Sequence, residues 1–423
     1  MSAEKSRKAW IWATLFLITL IYYFANMQKV LVPGATFNEL QQLMDSDAAT
    51  VTRLGAIFLY VYAAGQLLTG LLADRFSGIR VILCGGVIFC VGSLLSAFTG
   101  SYILLCVSRF MTGLGAAAIY LSMVKEFSRI TGNALPFWIG VATIIGYSGA
   151  ITGASPFIAG VERYGYSAMM LTTGLLTAAI FLGFCVCLSK IDVPPVNREV
   201  KFTWASYWAV IRIRHNLCNF VAIGINFGTY FAIQSIIGKK FLEDFCGLSN
   251  HGAGAVMTVT MLIAALNGFV LANLSRLWGN RRRPFLLFSS FGCLTGALLI
   301  FGAVYGDVRA PFLAVAGVIL MAFAGNVSPI YVALVRETNE EHRFGTAMSV
   351  GNCFAYGVTA VFGGALGKLM DVYAPVVRDG VSIYGRNSYL LVFGVLLGLT
   401  VFSAFLSLFL RESYGRDISA TVR

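Results

Sequence analysis

The segment Gly70-Leu-Leu-Ala-Asp74-Arg75-Phe-Ser-Gly78-Ile-Arg80, the first charged loop, lies between two long apolar stretches. Much later, again between apolar stretches, comes a second charged loop, Ala272-Asn-Leu-Ser-Arg276-Leu-Trp-Gly279-Asn-Arg281-Arg282-Arg283, which reads as a degraded copy of the first. A glycine-bearing, charged loop that recurs once per half of a chain indicates an internal duplication. The pattern predicts a duplicated membrane bundle in which both loops lie on the same side of the bilayer and act as mechanical parts of the protein.

The composition indicates a membrane protein. Of the 423 residues, 58% are hydrophobic and 12% are charged, and the mean hydropathy is +0.78, whereas soluble domains are about 25% charged. A soluble fold of this size could not bury so much apolar surface, so we expect the bilayer to be its solvent. Because the apolar runs are long and continuous rather than alternating, they favour helices over a barrel. The predicted fold class is an all-α integral membrane protein.

Apolar runs divide the chain into twelve candidate transmembrane helices. They cover about 10–32, 51–73, 80–99, 102–124, 135–160, 166–189, 215–238, 251–274, 285–304, 311–334, 345–370 and 388–410. Tyr23-Phe-Ala in the first span recurs as Tyr230-Phe-Ala in the seventh, and the longest polar interruption separates the sixth span from the seventh. We therefore predict two pseudo-symmetric six-helix bundles, 1–189 and 215–423, joined by a cytoplasmic linker, 190–214.

The distribution of basic residues predicts the orientation in the membrane. With the N-terminus inside, the inner segments hold 21 Lys and Arg residues and the outer segments hold 9, and Arg109 within a span completes the 31. This excess predicts a multi-pass protein of the cell (inner or plasma) membrane with both termini cytoplasmic. It also accounts for the net charge of +12 without nucleic acid as a partner. The first apolar run is too long for a signal peptide and is predicted to span.

No pattern in the sequence predicts catalysis. It contains no cluster of His, Cys, Asp and Glu with metal-ligand spacing, no nucleophile beside a base and no nucleotide-binding loop. The nine cysteines lie mostly within apolar segments and are interpreted as small core residues. We therefore expect no enzymatic activity, no metal ion and no cofactor. The expected partners are a small-molecule substrate and the lipid bilayer, and the expected form is a monomer.

Three motifs resemble those of the major facilitator superfamily, and the resemblance extends over nearly the whole chain. The first charged loop resembles its helix 2–3 signature, although at Ser77-Gly78-Ile79 the family more often has glycine and consecutive basic residues. Arg109-Phe-Met-Thr-Gly113-Leu-Gly115 is similar to its helix 4 motif. Its helix 5 motif is represented by the three glycines Gly140, Gly149 and Gly153. The proline of that motif is displaced to Pro156, which weakens the antiporter inference that the motif would otherwise carry.

The resemblance implies alternating access, in which two six-helix halves open one central site to each side in turn. It implies that Asp74 latches the cytoplasmic side in the outward-open state. The residues expected to take part in gating are Gly70, Asp74, Arg75, Arg80, Gly113, Gly149 and Gly153. In the second loop Arg276 stands at the usual Asp position, so we expect that loop to serve mainly as a topology anchor. Gly149-x3-Gly153 and Gly363-x3-Gly367 permit close helix contact, either as static packing or as a sliding surface.

Polar side chains within the apolar spans are the candidate substrate-binding residues. Tyr22, Asn26 and Lys29 share one face of the first helix, because they are spaced i, i+4 and i+7. The alternatives are that Lys29 reaches the outer interface and that Arg109 hydrogen-bonds neighbouring helices. The complete set is Tyr22, Asn26, Lys29, Arg109, Tyr120, Tyr147, Gln234, Asn267, Asn326, Tyr331, Asn352 and Tyr356.

These residues predict a neutral-to-cationic cavity that suits a small organic anion or a polar metabolite. Organophosphate exchangers of the superfamily have an arginine three positions after a Tyr-Tyr pair in helix 1, whereas Asn26 stands there, so phosphate esters are disfavoured. No Asp or Glu lies at mid-span, so proton coupling has no obvious carrier. We predict a secondary active or facilitative transporter. The alternatives are a drug or metabolite efflux antiporter and a membrane sensor that does not transport.

Overall fold

The computed structural model describes residues 2–98, 101–131, 135–191, 204–340, 343–378 and 381–422, without the side chains of residues 2–6, 71, 74, 128, 135–137, 204, 206 and 269. These ranges contain α1 Ser2–Val30, α2 Phe37–Met44, α3 Ala48–Phe76, α4 Gly78–Leu95, α5 Tyr102–Thr131, α6 Leu135–Thr152, α7 Ser155–Tyr164, α8 Tyr166–Leu188 and α9 Trp204–Ile211. They continue with α10 Arg214–Ala232, α11 Gly238–Asp244, α12 Asn250–Leu277, α13 Arg283–Tyr305, α14 Pro311–Gly325, α15 Ser328–Thr338, α16 Phe344–Met370 and α17 Arg386–Ser407. A hairpin of β1 Val376–Arg378 and β2 Val381–Ile383 pairs antiparallel before α17.

Twelve helical segments in the described ranges are long and apolar enough to cross a membrane. They are Arg7–Ala35, Ala48–Gly70, Gly78–Leu95, Tyr102–Thr131, Trp138–Tyr164, Tyr166–Leu188, Arg214–Asp244, Asn250–Leu277, Arg283–Tyr305, Pro311–Thr338, Phe344–Met370 and Arg386–Ser407. Each coincides with one predicted span, so the prediction of a twelve-helix membrane protein is confirmed. The chain crosses its membrane many times.

Proline marks the places where two of these spans are broken into consecutive helices. Pro156 lies in the first turn of α7, which follows α6, and Pro329 lies in the first turn of α15, which follows α14. Proline has no N–H to donate to the preceding turn, and its ring fits only at the start of a helix. The helix therefore restarts at each proline.

The seventh span is longer than predicted. A π-helical turn, Ile233–Ile237, leads directly into α11, so the helical path ends at Asp244 instead of at 238. Lys239 and Lys240 are only 2% and 1% exposed. Their ammonium groups pair one turn along the helix with Glu243 and Asp244, at 3.5 and 3.0 Å. Because the opposite charges offset each other, this polar run continues the helix.

The helices form two compact units. The first comprises Met1–Leu31 and Tyr60–Phe202, and the second comprises Val32–Leu59 and Thr203–Arg423. In the first, α4 packs on α5, and α1 packs on α6 and α8. In the second, α10 packs on α16 and α17, and α13 packs on α14 and α17. Residues 32–59, which precede the predicted linker by more than a hundred positions, thus pack with the C-terminal part of the chain.

Part of the predicted linker 190–214 is helical. Residues 192–203 lie outside the described residues, and Trp204–Ile211 forms α9. Tyr207 and Val210 of α9 are 7% and 0% exposed. A short helix that buries an apolar face in this way is packed against its neighbours, so this part of the linker belongs to the second unit.

Candidate functional site

A polar cluster lies on α1 inside the first unit. The ammonium group of Lys29 donates a hydrogen bond to the hydroxyl of Tyr62 at 3.1 Å and lies 3.4 Å from Asn26 Oδ1. It also lies 4.3 Å from the centre of the Tyr62 ring. Lys29 is only 6% exposed, which argues against the alternative that it reaches the outer interface. A phenol and an amide thus orient a buried amine.

Close packing of α6 on α1 shapes the rest of this cluster. A Cβ atom at Gly146 would lie 2.2 Å from Tyr22 Cε1 and 3.0 Å from Asn26 Nδ2, so glycine is required there. Asn26 Nδ2 donates to the carbonyl oxygen of Tyr22 at 3.0 Å. The ring centres of Tyr22 and Tyr120 are 5.2 Å apart, and Tyr147 on α6 is half-buried. The residues Tyr22, Asn26, Lys29, Tyr62 and Tyr120 are called the Lys29 cluster below.

Tyr62 belongs to the cluster but is not among the residues predicted from the sequence. Tyr60 and Tyr62 both lie on α3, and the first is 47% exposed while the second is 3% exposed. The helical period places the two side chains on different faces, but it does not say which face meets α1. The sequence therefore carries no signal that selects Tyr62 over Tyr60.

The described contact of Arg109 joins two helices and is not with the Lys29 cluster. The residue is 1% exposed, and its Nη1 donates to the main-chain carbonyl of Gln28 at 3.1 Å. This bond joins α5 to α1. It is the kind of contact that the structural alternative for Arg109 predicts, since a buried guanidinium needs acceptors from neighbouring helices.

The predicted amides of the second unit join helices to one another. Gln234 Nε2 donates to the carbonyl oxygen of Met257 at 3.2 Å, which links the seventh span to α12. Asn267 Nδ2 donates to the carbonyl oxygen of Asn326 at 3.0 Å, and Asn326 Nδ2 donates to that of Ala264 at 3.1 Å. These two bonds join α12 to the chain at the break between α14 and α15. Such contacts are typical of polar residues that stabilise helix pairs in a membrane.

Three further candidates lie around α16. Tyr331 is 5% exposed, and its hydroxyl packs directly against Gly351. Asn352 and Tyr356 on α16 are half-buried. The ring of Tyr356 lies edge-on to that of Phe227, with the centres 5.2 Å apart. The predicted residues of the second unit are therefore spread over several helix contacts, whereas Tyr22, Asn26, Lys29 and Tyr120 of the first unit come together.

The first charged loop is held to α5 by two neighbouring side chains. Lys125 Nζ donates to the carbonyl oxygen of Ala73 at 2.7 Å, near the end of α3. Glu126 Oε1 accepts from the main-chain N–H of Ile79 at 3.1 Å, at the start of α4, and Glu126 Oε2 pairs with Arg129 at 2.9 Å. Each charge is opposite in sign to the helix end that it contacts, which is the stabilising arrangement. The loop is thus tied at both of its helix ends.

The predicted gating residues of this region occupy varied environments. The side chain of Asp74 lies outside the described residues. Gly70 and Arg80 are half-buried, Arg75 is exposed and Gly113 is buried. Gly149 and Gly153 pack α6 against α1: a Cβ at these positions would lie 2.1 Å from the carbonyl oxygen of Tyr23 and 2.8 Å from Val30 Cγ2. That contact lies within the first unit.

The second charged loop is also tied by carboxylates, which come from distant parts of the chain. The guanidinium of Arg282 pairs with Glu337 at 2.9 Å and donates to Ser275 Oγ at 2.7 Å. Glu412, in the segment after α17, accepts from the main-chain N–H groups of Arg282 and Arg283 at 2.7 and 3.1 Å. It caps α13 as Glu126 caps α4. The second charged loop is thus tied to α15 and to the segment after α17.

A sequence signal for this symmetry exists. Val124-Lys125-Glu126 at the end of the fourth span recurs as Val335-Arg336-Glu337 at the end of the tenth. Both glutamates contact the charged loop of their own half. The repeated triplet is therefore a pattern of consecutive residues that points to these two carboxylates as loop partners.

Comparisons with known proteins agree with this architecture. A sequence profile described as Major Facilitator Superfamily matches residues 11–364. The chain is similar to the 4-hydroxybenzoate transporter PcaK of Pseudomonas putida, with 28% identity over 89% of this chain and 77% of that protein. In fold it is similar to the nucleoside transporter NupG, with 17% identity and a TM-score of 0.69 over 92% of this chain and 99% of the other.

A second sequence relative aligns only in part. The probable sulfoacetate transporter SauU of Cupriavidus necator is 28% identical over 30% of this chain. The alignment spans 28% of the length of that relative. Its substrate name and that of PcaK therefore describe those proteins alone.

Proposed function

The chain belongs to the Major Facilitator Superfamily, and we propose that it carries a small organic anion across a membrane by alternating access. The observation that carries this proposal is the buried ammonium group of Lys29, held by Tyr62 and Asn26. A charge buried within a transmembrane helix is costly and marks a functional site by default. A carboxylate or sulfonate of the substrate would offset that cost.

Tyr62 and Asn26, which contact Lys29, are both neutral side chains. Their contacts orient the amine. The phenol rings of Tyr22 and Tyr120 lie in the same cluster and offer both an apolar face and a hydrogen-bonding edge. A small anion with an organic body matches this mixture. The named substrates of the two relatives, 4-hydroxybenzoate and sulfoacetate, are of this chemical class.

The remaining parts of the proposal follow from the sequence. Two six-helix bundles, 1–189 and 215–423, move about the linker 190–214, and both termini face the cytoplasm of a cell (inner or plasma) membrane. The protein acts as a monomer, is not an enzyme and binds no nucleic acid. The count of basic residues supports the orientation, and the first charged loop, with Asp74, is the proposed gating element on the cytoplasmic side.

Uptake into liposomes that contain only this protein tests the proposal. The assay compares radiolabelled aromatic carboxylates and short sulfonates with neutral and cationic analogues of the same size. Lys29→Gln should lower anion uptake by at least about tenfold, since it removes a charge-assisted contact. Lys190→Gln is the matched control, because Lys190 is exposed beyond α8. Preferential uptake of the neutral or cationic analogues, or unchanged anion uptake in Lys29→Gln, would overturn the proposal.

A further inference from the structure

The second charged loop has a fixed shape at the end of α12. Gly279 and Asn280 adopt the left-handed conformation, with φ 70° and 59°. The main-chain N–H of Asn280 donates to the carbonyl oxygen of Ser275 at 2.8 Å, and Ser275 Oγ donates to that of Arg281 at 2.7 Å. These bonds close the helix end in the way that glycine and asparagine permit. The loop therefore holds Arg281 and the residues that follow it in defined positions.

This loop carries more positive charge than its ion pairs offset. Residues 276–283 include no acidic residue and four arginines, Arg276, Arg281, Arg282 and Arg283. Arg282 pairs with Glu337 at 2.9 Å, whereas none of the other three guanidinium groups forms an ion pair with another described residue. The carboxylate of Glu412 lies at the start of α13, where it accepts two main-chain N–H groups. The loop therefore keeps a net positive charge.

Arg283 begins α13 and lies against the end of α17. Its Nη2 donates to the carbonyl oxygen of Leu408 at 3.1 Å. Its Nε is buried and has no acceptor among the described residues. A guanidinium carries several N–H donors in one plane, so Arg283 keeps donors for an anion. Because Glu412 already accepts the main-chain N–H groups at this helix start, the side chains would have to hold that anion.

Large apolar side chains are exposed around the same arginines. Leu277 and Trp278 at the end of α12 are 78% and 61% exposed. Leu408 and Phe409, which directly follow α17, are both 49% exposed. The ring centre of Trp278 lies 5.7 Å from that of Phe285, in the first turn of α13. Since these residues end or directly follow segments that can span a membrane, they lie near the lipid headgroups, where tryptophan is enriched.

We propose that the start of α13 binds one acidic phospholipid. Arg281 and Arg283 hold its phosphate group, and its acyl chains lie against the exposed apolar residues of α12 and α17. A phosphodiester matches the N–H donors of arginine in both shape and charge. The apolar border favours a lipid over a free anion, since inorganic phosphate would gain nothing from Trp278 or Leu408. The predicted orientation places this site in the cytoplasmic leaflet.

The alternative is a basic surface that attracts acidic lipids without binding one of them at a defined place. Native mass spectrometry of the detergent-solubilised protein separates the two, because it counts the lipids that each protein molecule retains. With dioleoyl-phosphatidylglycerol at low concentration, we expect one retained lipid per protein. With dioleoyl-phosphatidylcholine at the same concentration we expect none, since its headgroup has no net charge.

Substitution of the arginines tests which side chains bind the headgroup. Arg281→Gln and Arg283→Gln should each raise the Kd for phosphatidylglycerol about fivefold, the order for one basic residue at an anionic membrane surface. Arg212→Gln is the matched control, because Arg212 is an exposed arginine of the predicted cytoplasmic linker, and it should leave the Kd unchanged. If Arg283→Gln does not fold, Arg281→Gln still tests the proposal, since the described hydrogen bond of Arg281 is made by its main-chain carbonyl.

Equal retention of the two lipids would overturn the proposal, and so would a wild-type Kd for Arg281→Gln. An equal rise in Kd for Arg212→Gln would show attraction by net charge alone and would also overturn it. Inorganic phosphate tests the other source of the anion. If it raises the melting temperature as much as phosphatidylglycerol does, the site binds a free anion instead of a lipid. Lipid binding is measured without transport, so its failure would leave the proposed substrate class standing.

Discussion

The carboxylate of Glu126 accepts the main-chain N–H of Ile79 at 3.1 Å, which fixes the start of α4 to the end of the fourth span. Glu126 is 1% exposed and pairs at the same time with Arg129 at 2.9 Å. One buried side chain therefore connects the first charged loop to α5. The same arrangement recurs around the second charged loop, where Glu412 caps α13 and Glu337 holds Arg282.

Removal of this cap should destabilise the protein. Glu126→Ala is expected to cost about 1–2 kcal/mol, the range for loss of a helix cap, and Glu126→Gln should cost less because it keeps an acceptor oxygen. The melting temperature of the purified protein in detergent measures the effect. Glu162→Ala, at an exposed glutamate on α7, is the matched control, and equal melting temperatures for the Glu126 and Glu162 variants would contradict the interpretation.

Replacement of Ser77, in the first charged loop, by glycine should stabilise the protein. It has φ 76° and ψ 150°, a region that side-chain-bearing residues rarely adopt, and its buried hydroxyl makes no hydrogen bond to the described residues. Ser77→Gly should therefore stabilise the protein by about 1 kcal/mol or more through relief of strain. Ser77→Ala keeps the strain and should not stabilise to the same extent. A lower melting temperature for the glycine variant than for the alanine variant would contradict this prediction.

Glycines on α6 should differ sharply in their tolerance of alanine. At Gly149 a Cβ would lie 2.1 Å from the carbonyl oxygen of Tyr23, whereas at Gly140 it would meet none of the described atoms within 4 Å. Gly149→Ala should cost about 1–3 kcal/mol by forcing α1 and α6 apart. Gly140→Ala should be neutral or stabilising by up to about 1 kcal/mol, because alanine favours the helix. The melting temperatures of the two variants test this difference. A similar loss of stability at both positions would show that contact with α1 does not determine the tolerance of alanine.

Tyr62→Phe should weaken substrate binding without removing the ring. The change deletes the acceptor for Lys29 Nζ at 3.1 Å, so the amine loses its fixed orientation. We expect the KM for the transported anion to rise about tenfold, the order for a hydrogen bond to a charged group, with less change in the maximal rate. Tyr60→Phe on the exposed side of the same helix should transport like the wild type. An equal KM for the Tyr62→Phe and Tyr60→Phe variants would show that Tyr62 does not take part in substrate binding.

Stability should fall at high pH because of Tyr384. Burial, and its hydrogen bond to Asp371, raise the pKa of this phenol above its usual value. The unfolded chain loses the proton from about pH 10 upward while the folded protein retains it, so the free energy of unfolding decreases as pH rises through that range. Between pH 9 and 11 the wild type should lose melting temperature more steeply than Tyr384→Phe. Tyr414→Phe, at an exposed tyrosine, should keep the wild-type slope, and equal slopes for all three proteins would contradict the prediction.

Part of the Lys29 cluster could be predicted from the sequence and part could not. Tyr22, Asn26 and Lys29 could be grouped because their spacing within one helix is a local property. Tyr62 and Gly146 could not be found, since each becomes part of the site only through the face that its helix turns toward α1. The charged loops likewise combine a feature that the sequence shows with a contact that it does not show. Their repeat is visible in the sequence, whereas Glu412 joins the second loop from about 130 positions away.

Sequence alone determined the twelve spans and the family, because hydropathy and motif spacing are properties of consecutive residues. It also identified Gly363-x3-Gly367 as a contact stripe without saying what it contacts. Only the tertiary structure decided that this stripe meets Ala56 and Thr52, that Asp371 caps α3 and that Lys29 lies against Tyr62. The physical reason is that a helix presents several faces, and which face meets which depends on packing among segments far apart in the chain.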